Sequence, residues 1–571
     1  MKSYISREII VKNKREVCPE NIANGFNEYF VNVGTTLSNS VPSTNQDHTD
    51  YMPPPNANSM FLYPTDNNEV ISIINSLKRK SPGYDGVTTE IVQLSHVNYI
   101  NALTHIINQS LSQGVFPQEL KIAKVIPIYK DGDVTLMSNY RPISVLSVFS
   151  KIFERIMYKR LMEFVKSCNL LYKYQFGFRE QHGTDLALIT LIDKISKALD
   201  EGDYVLGVFL DLSKAFDTVS HEILLSKLET YGIRGTAHKW LKSYLSHRNQ
   251  FVMYNENQSN TLHIKSGVPQ GSILGPLLFL LYVNDIANLS PTVMPILFAD
   301  DTNLFVRGSN IAELFHSINS ELETLVKWIH ANKLSLNIAK THYIVFRTRG
   351  REININMNVY IDHIKLKRVE STKFLGIMLD GKLNWLNHII FVKNKIAKSI
   401  GVLCKARKYL NCETLITLYN CFVYPYLTYG LEVWGSASSC HIQIIEKIQK
   451  RAIRIITSSG ARDHTAELFK SLNILPFKKV YQYCIAKLMF KFAKQIVPSA
   501  MRDMFSTNEN THSYNTRHRG NLRVPHGRTL LVHRTFRYMG VHIWNEISLS
   551  VDHQCSMSTY KHKVKKYLQE N

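Results

Sequence analysis

Val208-Phe-Leu-Asp-Leu-Ser-Lys-Ala-Phe-Asp217 and Leu297-Phe-Ala-Asp-Asp-Thr-Asn303 decide the fold. Each is an apolar run that stops abruptly in acid. Residues 205–210 have the unbroken apolar character of a buried strand. Asp211 is then expected at a strand end, and Asp300 and Asp301 at the tip of a hairpin. Carboxylates beside buried strands are costly unless something positive neutralises them. The natural neutraliser for clustered hard oxygens is a divalent cation, usually Mg²⁺. An Asp-Asp pair on its own favours a solvated turn, so the rest of the chain must decide.

The chain has 571 residues, enough for several domains. Hydrophobic residues at 44% and charged residues at 20% make an ordinary globular balance. The charge is not ordinary. Lys and Arg number 68 against 46 Asp and Glu, a net +22, which favours a polyanionic partner. Nucleic acid is the first candidate and an anionic membrane surface the second. No apolar run approaches the roughly 20 residues of a membrane span, and 276–283 reads as a buried core helix. The eight Cys include no C-x-x-C pair, so no disulfide framework or zinc knuckle is expected. The N-terminus lacks the apolar core of a signal peptide, which implies an intracellular, reduced protein.

Along the chain, 21–32 has helical apolar spacing, and 42–57 is a Pro-, Asn- and Ser-rich stretch that reads as a flexible linker. Residues 67–78, 147–165, 185–199, 221–231 and 311–329 read as helices, with Thr236 as the cap of another. Residues 124–129 read as a strand, and 251–254 with 261–264 as a hairpin. Beyond about 385 the pattern is mostly helical. Lys447, Lys450, Arg451 and Arg454 fall three and four apart on one helical face, which is either solvated or a nucleic-acid contact. From 510 to 545 there is no acidic residue. Arg517, Arg519 and Arg523 there, interleaved with aromatics, suit RNA by phosphate pairing and stacking.

These parts assemble into a chemistry. Asp211, Asp300 and Asp301 are expected to hold two Mg²⁺, with Mn²⁺ as a substitute, in the arrangement used for nucleotidyl transfer. Phe216 would block a ribose 2′-hydroxyl, unless it is an ordinary core ring. Ser266-Gly-Val-Pro-Gln-Gly-Ser272 is a turn opening a helix. There Gln270 would meet the incoming nucleotide or template, and Gly271 would allow close backbone approach. Lys130 and Arg141 would clamp a triphosphate. Lys340 would protonate the departing pyrophosphate.

The sequence resembles the reverse transcriptases of non-LTR, jockey-like retrotransposons. The segments that carry the resemblance run in the family's order. They are Ser81-Pro-Gly-Tyr-Asp-Gly86, Ala123-Lys-Val-Ile-Pro-Ile-Tyr-Lys130, Asn139-Tyr-Arg-Pro-Ile-Ser144 and Gln175-Phe-Gly-Phe-Arg-Glu-Gln-His-Gly-Thr184. The Asp211 segment, the Ser266 turn, Phe298-Ala-Asp-Asp301, the Lys340 segment and Lys373-Phe-Leu-Gly-Ile-Met-Leu379 follow, the last resembling a primer-grip hairpin. The resemblance implies an α+β right-hand polymerase, with an antiparallel palm sheet, fingers and a helical thumb. Its expected parts are an N-terminal helical piece and linker (1–60), a fingers region (61–204) and a palm (205–384). The whole reverse transcriptase core would span about 110–380. A helical thumb-like region (385–480) and a basic, nucleic-acid-binding C-terminal region (481–571) would follow. The implied partners are an RNA template, a DNA primer or target, and dNTPs, with no membrane. Residues 1–60 are too short for the family's endonuclease, so nicking is expected in trans. Nuclear residence is expected from the DNA target, with a cytoplasmic ribonucleoprotein as a second state. The rival readings are a silent or domesticated nucleic-acid-binding remnant and a group II intron maturase.

Overall fold

The computed structural model describes residues 8–351, 357–510 and 519–571. The fold is α+β. Its main strands are β1 (Ile122–Tyr129), β2 (Tyr140–Val145), β3 (Tyr204–Leu210), β4 (Arg248–Tyr254), β5 (Met294–Phe298), β6 (Asp301–Gly308), β7 (His342–Phe346), β8 (Ser371–Phe374) and β9 (Ile377–Asp380). Around them lie α1 (Pro19–Ser40), α2 (Val148–Ser167), α3 (Thr184–Asp200), α4 (Leu274–Tyr282) and α5 (Ile311–Ala331). The C-terminal part supplies α6 (Leu386–Ala406), α7 (Ser439–Ile456), α8 (Phe477–Ala493), α9 (Phe536–Ile547) and α10 (Met557–Glu570).

β3 is the middle of a five-stranded sheet ordered Lys367–Arg368, β7, β3, β6, β5. β6 and β7 both run antiparallel to it, with Thr302 opposite Leu210 and Phe346 opposite Val205. Side chains alternate between the faces, as a pleated strand requires. Leu206, Val208 and Leu210 enter a core shared with α2, α4 and α5. Val205 and Phe209 enter a second core with α3, the β8–β9 hairpin and helices α6 to α8. Both faces are dry, which is why 205–210 carries no polar residue. Gly207 has no side chain because a Cβ there would lie 2.7 Å from the Phe305 ring. The 276–283 run is the buried α4, and no helix among the described residues is long and apolar enough to cross a membrane.

The second sheet holds β2, β1 and β4, with β1 antiparallel to β2 and parallel to β4. The 251–254 and 261–264 pairing exists, as β4 against Leu262–Ile264. Helix α1 seals this sheet. Its Ile22, Ala23, Phe26 and Phe30 bury against Ala123, Val125, Tyr140, Val252 and Tyr254. The Phe26 ring meets Phe30, Tyr140 and Tyr254 at centroid distances of 5.5, 5.0 and 5.7 Å. Packing therefore shows no break near residue 60. The stretch expected as a loose linker is tied down as well. Asn56 and Met60 donate backbone hydrogen bonds to Thr230 O and Gly232 O, each at 2.9 Å. One helix start differs from expectation: Gly235–Leu245 begins directly after Arg234, whose side chain makes no cap hydrogen bond, so Thr236 lies inside its first turn.

Candidate active site

The hairpin β5–β6 turns through Ala299 and Asp300, with Asp301 opposite Phe298. Ala299 takes a left-handed φ of +57°, a conformation that costs about 1 kcal/mol for a residue with a Cβ. Its N–H is held by Gln175 Oε1 at 3.0 Å. Gly177 lies against the same turn, where a Cβ would come within 2.1 Å of Ala299 N. The Gln175–Thr184 segment thus braces the hairpin tip. Because Thr302 stands opposite Leu210, the next rung sets Asp301 beside Asp211. Asp211 is pinned through its backbone, its carbonyl accepting from Asn337 N at 2.8 Å. All three carboxylates thus meet at one end of the sheet.

Their electrostatics agree. Burial raises the Asp301 carboxyl to about 6, reinforced by the charges of Asp300 and Asp211. Burial also raises Asp300, with Asp211 adding to the rise and Arg141 and Lys130 opposing it. Both residues expose much of their surface, so this crowding is that of a recess and not of a sealed core. No salt bridge among the described residues involves any of the three. The cations expected beside them are present. Lys130 and Arg141 flank the turn joining β1 and β2 and act on Asp300. Lys340 lies on the exposed loop that runs alongside Asp211 and leads into β7. Lys214 shares the recess. Burial lowers its pKa, Asp217 opposes that, and Lys130, Arg141 and Lys340 lower it further.

The 266–272 turn sits against this group. Gly271 takes φ +128° and abuts β2, where a Cβ would fall 2.3 Å from Ser144 O. The close approach its sequence predicts is therefore to the chain's own strand. Gln270 gives its amide N–H groups to Asp217, at 2.9 and 3.1 Å from the two carboxylate oxygens. Phe216 stacks on Phe279 at 4.5 Å and meets Phe178 edge-on at 6.1 Å. It is half-buried and wedged between these two rings. Phe178 was not legible as a site residue. It is 51% exposed in the left-handed region, at φ +53°, one residue from the glycine that touches the β5–β6 hairpin.

The basic residues divide. On α7, Lys447, Lys450 and Arg451 are exposed, whereas Arg454 donates through Nε to Asp463 O at 2.9 Å. Arg517 lies outside the described residues. Arg519 pairs with Glu509 at 2.6 Å, and Arg523 lines a cleft with Asp193, Asp200 and Arg537. The acid-free tail thus finds its acids elsewhere. Asp200 accepts from the backbone of Arg528 and Thr529, and Asp193 lies 3.6 Å from Arg537. A second basic surface gave no signal in the sequence. Lys393, Lys398 and Lys405 project from the exposed side of α6, where Ala397 and Gly401 leave the surface low. Nothing lies within 4 Å of a Cβ built on Gly401.

The donor chemistry at the sheet end suits a hard divalent cation: three carboxylates, unpaired and mutually repelling. Among the described residues, no three His, Cys, Asp or Glu side chains converge tightly enough to hold a metal.

Residues 128–379 match the family of reverse transcriptases (RNA-dependent DNA polymerases). The chain is similar to the RNA-directed DNA polymerase from mobile element jockey of Drosophila melanogaster, 29% identical over 440 residues, covering 74% of this chain and 47% of the relative. It is 30% identical over 405 residues to the jockey polymerase of Drosophila funebris, covering 69% and 44%. It is 29% identical over 486 residues to the probable RNA-directed DNA polymerase from transposon BS of Drosophila melanogaster, covering 81% and 52%. The chain spans about half the length of these relatives. The reverse transcriptase family works with divalent metal ions.

Proposed function

We propose, for a chain whose residues 128–379 belong to the reverse transcriptase family, that it copies RNA into DNA from a 3′-hydroxyl primer as the polymerase of a non-LTR retrotransposon. The observation that carries this reading is the meeting of Asp211, Asp300 and Asp301 beside Lys130, Arg141 and Lys340. In this reading the β3-centred sheet is a palm, the β1–β2 region belongs to the fingers, and the helices from α6 onward make a thumb and a basic C-terminal region. Two Mg²⁺ held by Asp211, Asp300 and Asp301 would acidify the primer hydroxyl and balance charge on the leaving pyrophosphate. Lys130 and Arg141 bind the triphosphate, and Lys340 gives the pyrophosphate its proton. The template is an RNA, the substrates are dNTPs, and another activity exposes the primer end in DNA. That target places synthesis in the nucleus, with a ribonucleoprotein in the cytoplasm before it.

Phe216 acts as a fixed wall against a 2′-hydroxyl, because its stacking on Phe279 stops it moving aside. Phe216→Ala is expected to raise incorporation of ribonucleotides about tenfold, within the range of about 1–3 kcal/mol for a change in pocket size. Competition between a dNTP and its rNTP measures this, and unchanged sugar selection removes Phe216 from the role. The α6 face lies along the primer–template duplex. Replacing Lys393, Lys398 and Lys405 with Gln should weaken duplex binding and reduce the salt slope by about one unit for each phosphate left unpaired. An unchanged slope returns that face to solvent. The test of the whole reading is primer extension on an RNA template with Mg²⁺ and dNTPs. Extension by the wild type supports it. Folded, RNA-binding protein that extends nothing overturns it.

A further inference from the structure

Asp193, Ser196, Lys197 and Asp200 fall three and four apart along α3, so they share one helical face. The C-terminal region covers that face and leaves a cavity of about 340 Å³, at the small end of the range of about 300–1,000 Å³ for ligand sites. Phe505, Arg523, Pro525 and Arg537 line its other side. The Phe505 ring is held edge-on by Phe492 and Phe536, at 5.0 and 5.8 Å. Asp200 is already engaged by the backbone N–H groups of Arg528 and Thr529. The C-terminal half of α3 leads into the start of β3, whereas Asp211 follows the end of that strand. The cavity therefore has no part in the chemistry described above.

Two groups in its wall lack the partners their burial calls for. Ser196 is 1% exposed, and its Oγ has no hydrogen-bond partner. A helical hydroxyl can bond to the carbonyl one turn back, as Thr190 does to Leu186 O at 2.8 Å. Ser196 does not. The Asp193 carboxylate accepts no hydrogen bond among the described residues, and Arg537 Nη1 stands 3.6 Å away, beyond hydrogen-bond reach. Burial raises the Asp193 carboxyl, with Arg537, Lys194 and Lys197 opposing. An acceptor short of donors, in a cleft that also holds Lys197, Arg523 and Arg537, suits a ligand with both N–H donors and negative charge. A nucleotide carries both. Of the four RNA bases, only guanine sets two N–H groups side by side on one edge, N1–H and the 2-amino group, with the O6 acceptor next to them. The two oxygens of a carboxylate match that donor pair, and a guanidinium matches O6. Unpaired RNA bases are free to be read in this way and to stack on a ring such as Phe505.

We infer that this cavity takes one unpaired guanine of an RNA strand, with Asp193 accepting from N1–H and the 2-amino group and Arg537 donating to O6. The inference rests on the polymerase reading above only in taking RNA as the strand the chain binds. Ser196 adds a hydroxyl that can turn to the same base. Lys197 and Arg523 supply charge for its phosphates.

The experiment measures Kd of the full chain for labelled oligouridylates carrying one central guanosine, inosine, 1-methylguanosine or adenosine, beside the all-uridine strand. Inosine lacks the 2-amino group, and 1-methylguanosine lacks N1–H. The wild type should bind the guanosine strand about tenfold more tightly than the other four, the worth of one hydrogen bond to a charged group. Asp193→Asn should lose that preference, because an amide presents one acceptor where the carboxylate presents two. Its affinity for the all-uridine strand, and its primer extension on a template without guanosine, should stay at the wild-type level. Equal binding of guanosine and inosine strands by the wild type overturns the inference. So does a guanosine preference that survives in folded Asp193→Asn, for the base is then read elsewhere. Should that variant fail to fold, the inosine and 1-methylguanosine strands decide on the wild type alone. Failure of the underlying reading is distinct: a folded wild type would then bind none of the strands, whereas binding without a guanosine preference sinks this inference only.

Discussion

Asp300→Asn, and equally Asp211→Asn, is expected to cut DNA synthesis by about a hundredfold to a thousandfold, on the scale of about 3–4 kcal/mol lost when a group stabilising transition-state charge is removed. The fold should survive. Burial and the neighbouring acids already push Asp300 and Asp301 towards protonation, so each is destabilising as an anion in the metal-free protein. An amide of nearly the same volume removes that repulsion. Without metal, the variants should therefore melt no lower than the wild type. With Mg²⁺, the wild type should gain stability by mass action and the variants should gain less or none. Equal stabilisation of wild type and Asp300→Asn by Mg²⁺ would show that the ion binds elsewhere.

Lys227→Met is expected to cost about 3–5 kcal/mol of stability, the effect of leaving a buried charge without its partner. Lys227 and Asp285 are both completely buried, with Nζ 2.7 Å from each carboxylate oxygen. Trp328 Nε1 donates to the same carboxylate at 3.1 Å, and Lys227 also donates to Tyr282 O at 2.7 Å. The pair therefore ties the helix His221–Thr230 to the end of α4 and to α5, beneath the sheet that carries the β5–β6 hairpin. Burial drags the Lys227 pKa down while Asp285 draws it back up. Replacing both residues, as Lys227→Met with Asp285→Leu, should recover most of the loss, because no charge is then stranded. Chemical denaturation measures both variants. A single variant within about 1 kcal/mol of the wild type would mean that water reaches the pair.

Much of the sheet was legible because its signal is local. The run 205–210 ends in acid, 297–303 turns on a pair of acids, and the alternation along 311–329 fixes the face of α5. The expectation of a carboxylate cluster came from the first two of these. What stayed hidden depends on contacts between distant segments. Gln270 and Asp217 stand 53 positions apart, and nothing in the turn sequence says that its glutamine is already engaged. The stretch 510–545 lacks acids, yet Arg528 meets Asp200 across 328 positions. Arg537 of the same stretch lies 3.6 Å from Asp193 of α3. Helix α1 read as part of a detached piece because its apolar face gives no hint of the sheet it covers. The α6 surface was missed because its lysines are spread among apolar residues instead of forming a run.

The carboxylates at the end of β3 and in the β5–β6 turn stand or fall together as a metal-dependent polymerase centre. The most direct measurement is incorporation of a single complementary dNTP opposite an RNA template, with and without Mg²⁺, by the wild type and Asp211→Asn. Incorporation by the wild type only, and only with Mg²⁺, is the result this structure requires. Incorporation by Asp211→Asn at the wild-type rate would contradict it.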